Sequence, residues 1–111
     1  MIELIVLNHL SSALDVPVGM EYPSTPTGCF VVLEKTGSAR ENFLSRATFA
    51  IKSHGDTLLE AAQLNEQVKA AMDELDELPA ICRSALNTDY NFTDTAQRRY
   101  RYQAVYDITH Y

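Results

Sequence analysis

The chain has 111 residues, 46% of them apolar and 22% charged, with a net charge of −6 at pH 7. That length suits one domain, residues 1–111, burying roughly 65% of the surface its unfolded chain exposes, and the composition excludes a disordered chain. No apolar run approaches the roughly 20 residues that cross a bilayer, and the acidic balance lacks the basic excess of a nucleic-acid binder.

Taken in order, Ile2, Ile5, Val6, Leu10 and Ala13 have helical spacing over residues 2–14, and Leu4, Leu7 and Leu14 widen the apolar stripe. Glu3, the missing basic region and the missing small-residue cleavage site make this a helix and not a signal peptide, so the expected location is the cytoplasm. Pro17 ends the helix near Asp15. Residues 16–22 read as a short strand, at an edge because of Pro17. The Pro-rich residues 23–28 read as a loop. The apolar run 29–35 is a strand, and the turn-rich residues 36–42 a hairpin connection.

Residues 43–53 alternate, with Ala47, Phe49, Ile51 and Ser53 on one side and Arg46, Thr48, Ala50 and Lys52 on the other, as in a half-exposed antiparallel strand. Residues 56–75 form the organising helix. Leu58, Ala61, Leu64, Val68, Ala71, Met72 and Leu75 share one arc, interrupted by Asn65, with the charges elsewhere and Leu59 on the polar side. Asp56 or Thr57 can cap it, Thr57 and Glu60 have capping-box spacing, and Pro79 stops it. A second hairpin follows. Leu86, Thr88, Tyr90 and Phe92 alternate along one strand. Tyr100, Tyr102, Ala104, Tyr106 and Ile108 alternate along the next, predicting a Tyr-rich inner face with cross-strand aromatic pairs.

The order α-β-β-β-α-β-β predicts an α+β domain, a mainly antiparallel sheet of about five strands with two helices on one face. Cys29 and Cys82 sit in apolar neighbourhoods and read as buried free thiols, ahead of a disulfide or metal pair. Their spacing does not resemble a CxxC site.

A converging catalytic set does not emerge. Gly-rich phosphate loops, HExxH and GxSxG are missing, and His9, His54 and His110 are isolated, so neither a cofactor nor a metal is expected. Asp73, Glu74, Asp76 and Glu77 lack the alternating oxygens and Gly of a calcium loop. Arg98, Arg99 and Arg101 interleave with Tyr100 and Tyr102. Strand alternation sends arginines and tyrosines to opposite faces, against a nucleic-acid stacking platform. Charge is unevenly spread: residues 56–77 carry seven acids and one Lys, residues 83–101 four Arg and two Asp.

The strings FVVLEKTG (30–37), ATFAIKS (47–53), AAQLNEQVKAAM (61–72) and LNTDYNFTDT with RRYRYQAVYDI (86–108) resemble small tail proteins of long-tailed bacteriophages and prophages of Gram-positive bacteria. The closest functional group is the tail terminator, or tail-completion, family; adaptor and stopper proteins of the head–tail joint are alternatives. The resemblance implies an α+β fold and a structural role in the host cytoplasm and the virion tail. Copies would form a ring, typically hexameric, on the end of the tail tube. They would stop its polymerisation and meet the tube protein and the head connector, with DNA passing through but not specifically bound.

A ring needs heterologous contacts, so one surface must complement a different surface of the next copy. Leu59, Glu66 and Asp73 on the acidic helix and Arg98, Arg99 and Arg101 on the basic strand are the candidate subunit interface. Ser38, Ala39 and Arg40 are the candidate contact loop. A small cytoplasmic adaptor that recruits another protein through its sheet edge is the alternative function.

Overall fold

A computed structural model of the chain describes residues 1–96 and 99–111. The elements run α1 (Ile2–Ala13), β1 (Val18–Gly19), β2 (Phe30–Glu41), β3 (Leu44–Gly55), α2 (Leu58–Asp73), a 3₁₀ turn (Leu75–Glu77), β4 (Ile81–Asn91) and β5 (Tyr100–His110). The five strands form one mixed sheet in the order β1-β2-β3-β5-β4. Both helices pack on one face, the α+β arrangement expected.

The inner face follows the alternation of β3. Ala47, Phe49 and Ile51 are buried with Val31 and Leu33 of β2 and Ala104, Tyr106 and Ile108 of β5. They meet Leu64, Val68, Ala71 and Met72 of α2 and Ile2, Val6 and Leu10 of α1. Fully burying one large side chain such as Phe49 contributes about 1.5–3 kcal/mol. Of the arc predicted on α2, only Leu58 is exposed. Asn65 does not interrupt the buried face: it lies in it, 1% exposed, with its Nδ2 donating to Asp89 of β4 at 2.9 Å. On α1, Ala13 is exposed and Leu4 is left half in solvent.

The start of α2 is built as its spacing predicts. Thr57 is the N-cap, and its hydroxyl accepts from Glu60 N at 3.1 Å. Glu60 reaches back to accept from Asp56 N at 3.3 Å, one residue before the cap. Gly55 is required here by close approach, since a Cβ would lie 2.7 Å from Ala61 N and 2.9 Å from Glu60 Cβ.

Four expectations are corrected. First, the strand expected over 16–22 is confined to Val18–Gly19 and pairs with β2 in parallel, because residues 20–29 cross over instead of forming a tight hairpin. Second, residues 36–41, Ser38, Ala39 and Arg40 included, are not a loop but the outer half of β2. They are paired through Gly37↔Thr48 to Glu41↔Leu44, and the turn is Asn42 and Phe43 alone. The ladder overrides the turn-forming composition, which is spent on a bulge between Lys35 and Gly37.

Third, a bulge between Leu86 and Thr88 inverts the alternation of β4. Ser84 and Asp89 face α2, whereas Tyr90 pairs with Gln103 on the outer face, so Tyr90 does not join the inner-face aromatic pairs expected across β4 and β5. Fourth, both cysteines are free, as expected, but Cys82 is exposed and Cys29 only half-buried. Cys29 Sγ donates to Glu60 at 3.5 Å, and burial together with that carboxylate pushes its thiol pKa up.

Candidate functional site

The strands outrun the helices. Twelve residues of β2 span about 40 Å and the sixteen of α2 about 24 Å, so the outer half of the β2–β3 hairpin lies largely bare. No helix covers the opposite face of the sheet, where the segment bearing Tyr22 packs on Phe30 and His54. The chain thus presents three distinct surfaces: the solvent side of α2, the outer sheet face and the hairpin tip.

On α2, Leu59 is 67% exposed, and among the described residues Glu66 pairs only with Lys69 of its own helix, at 2.9 Å. Both are available for contact. Asp73 is committed within the fold: its Oδ1 accepts from the buried Tyr106 hydroxyl at 3.0 Å. Burial and the Asp73 carboxylate raise the Tyr106 phenol above its ordinary range. Lys69 also pairs with Asp89 at 2.9 Å, and that hydrogen bond holds the Asp89 carboxyl below its ordinary value.

The outer face carries a cluster that strand alternation within β5 alone concealed. Arg101 lies opposite His54 in the β3–β5 register, and its guanidinium sits 4.5 Å from the centroid of the Phe92 ring. Arg101 Nε donates to the Phe92 carbonyl at 2.6 Å and a terminal nitrogen donates to the Tyr22 hydroxyl at 2.9 Å. His54 stacks on Phe30 at 4.5 Å and meets Tyr22 edge-on at 5.1 Å. Tyr90 meets Phe92 edge-on at 5.9 Å, and its hydroxyl accepts from Gln103.

Basic and aromatic side chains therefore do share a face, contrary to expectation, because the aromatics come from β2, β4 and the residues around Tyr22. Within the cluster the Arg101 guanidinium and the Tyr22 and Tyr90 hydroxyls are partnered, whereas His54 Nε2 is buried without a hydrogen-bond partner among the described residues. Arg101 is a clamp that pins the segment bearing Tyr22 to β5, and Arg99 is exposed beside it. Arg98 lies outside the described residues. His54 is 3% exposed; burial, then Arg101, Lys52 and Arg99, lower its pKa from 6.5 to about 4, so the ring is neutral. His9 spans the two helices instead, its Nε2 donating to the Ala71 carbonyl at 2.7 Å.

No family model matches the chain, and no curated protein matches it. Among the described residues, no group of three or more His, Cys, Asp or Glu is placed to hold a metal ion. No helix among them is long and apolar enough to cross a membrane.

Sequence reasoning missed Phe43, which is 98% exposed at the hairpin tip. Its signal was legible in principle: an aromatic residue directly after Asn between two runs of strand residues occupies the place where a two-residue turn calls for Gly. The alternation of 43–53 instead drew Phe43 into the strand.

Proposed function

We propose that the chain is a structural tail protein of a long-tailed bacteriophage or prophage. Copies assemble on the end of the tail tube, end its polymerisation and help join tail to head. The reading is supported by the resemblance of residues 30–37, 47–53, 61–72 and 86–108 to small tail proteins. The structural observation that carries it is the one-sided layering. The acidic side of α2 and the outer face with Arg99 and Arg101 lie on opposite sides of one sheet. Two unlike surfaces back to back suit the heterologous, head-to-tail contacts from which rings are built.

Electron microscopy of tails made with and without this protein tests the proposal. Tails of aberrant length that fail to join heads are expected in its absence; tails of normal length that still join heads would refute it.

One feature favours a second reading. β1 covers β2 only at Val31 and Val32, so the rest of that edge is open to strand addition. A protein-binding adaptor would use it. Pull-downs that recover host proteins and no tail or head component would favour the adaptor.

A further inference from the structure

Asn42 and Phe43 both have positive φ, 51° and 67°, the signature of the type I′ turn that closes a two-residue hairpin. Asn tolerates this conformation; a bulky aromatic does so at a cost, and Gly would fit without strain. Phe43 also exposes almost its entire ring, so neither the turn nor the core calls for it. A strained, fully exposed aromatic at the tip of a long hairpin is placed to enter something.

A matching surface exists on the same chain. Two adjacent rows cross the outer sheet face, Ala39–Arg46–Thr109–Arg83 and Gly37–Thr48–Asp107–Ala85. Their small side chains leave a depression of about 660 Å³ in the face that has no helix layer. Arg46 and Arg83 flank it, and among the described residues neither forms an ion pair. The Asp107 carboxylate is already occupied, accepting from Thr48 and Asn87 at 2.9 Å each. A guanidinium beside an open floor of small side chains suits the face of an aromatic ring. Glu41, next to the tip and also without an ion pair among the described residues, supplies the charge that complements them.

We propose that Phe43 of one copy seats in this depression on a second copy, between Arg46 and Arg83, with Glu41 facing the arginines. Donor and acceptor are different residues, so the contact forms either reciprocally in a two-fold pair or head to tail, and the head-to-tail form repeats around a ring. The inference rests on the self-assembly reading but concerns the purified chain alone, so it can fail while the tail phenotype stands.

The test is sedimentation equilibrium of the wild type, Phe43→Gly and Ala85→Trp. Wild-type protein should self-associate with a dissociation constant below about 1 mM. Phe43→Gly relieves the backbone strain, so its Tm should rise while association weakens at least about 30-fold, the loss typical of an anchoring aromatic. Ala85→Trp fills the acceptor and should weaken association without lowering Tm. A photo-crosslinking phenylalanine analogue at position 43 should label the Arg83–Ala85 segment of another copy. Absence of self-association, association unchanged by Phe43→Gly, or crosslinks elsewhere would each overturn the proposal.

Discussion

Asn65 Nδ2 donates to Asp89 Oδ2 at 2.9 Å, joining the buried face of α2 to the far edge strand of the sheet. Lys69, one turn on, takes the same carboxylate oxygen at 2.9 Å. An isolated Asn at a core position would be a liability; here it is half of a bridge that sets where β4 lies against the helix. Replacing Asn65 by Ala removes a hydrogen bond to a charged group and leaves a void, at an expected cost of about 2 kcal/mol by urea denaturation.

The same bridge shapes the acid limb. Lys69 and Asn65 hold the folded Asp89 carboxyl below its usual value of 3.8. Its contribution is therefore fully present above 3.8 and is lost as pH falls through the lower, folded value. Asp89→Asn should flatten the stability profile in that acid range and leave the slope around neutrality unchanged. An unaltered acid limb would show the bridge to be energetically silent.

His54 acts in a higher window. Its pKa falls from 6.5 in the unfolded chain to about 4 in the fold, so between these values the unfolded state binds more protons. Stability is complete above about 6.5 and declines as pH falls toward about 4. His54→Phe keeps a ring against Phe30 and Tyr22 but cannot titrate. Thermal melts between these pH values should show a steep decline for the wild type and a shallower one for the variant.

Gly55 is a packing constraint and not a turn residue. An added Cβ would press on Ala61 N at 2.7 Å, which is backbone and cannot rotate away. Gly55→Ala should destabilise by about 1–3 kcal/mol, lowering the urea midpoint with the m-value unchanged.

Leu59 separates fold from assembly. It is exposed in the first turn of α2, where an acid is favoured by the helix dipole, so Leu59→Asp should change stability by no more than about 0.5 kcal/mol. If α2 forms part of a subunit interface, the variant should give fewer rings on tail ends by electron microscopy. Equal ring numbers would remove Leu59 from that interface.

Much of the fold was legible because it is written in short-range periodicities. Alternation in β3, the arc of α2 and the Thr57–Glu60 cap are properties of neighbouring residues, and each appears where local spacing put it, whereas α2 ends at Asp73, ahead of the stop expected from Pro79, and passes into a 3₁₀ turn. The candidate site was less legible. Asp73 and Arg101 read as exposed charges, yet their partners, Tyr106 and Phe92 with Tyr22, lie on other elements.

The amino-acid sequence by itself determined the element types and the inner face of β3, because side-chain period and capping act within a few residues. Only the tertiary structure decided the parallel course of β1, the extension of β2 through Ser38–Arg40, the bulge that turns Tyr90 outward and the meeting of Arg101 with Phe92 and Tyr22. These depend on which strand lies beside which and in what register, and a single bulged residue reverses every side chain beyond it. Phe43 stands between the two levels: its turn is local chemistry, but its exposure follows from where the sheet ends.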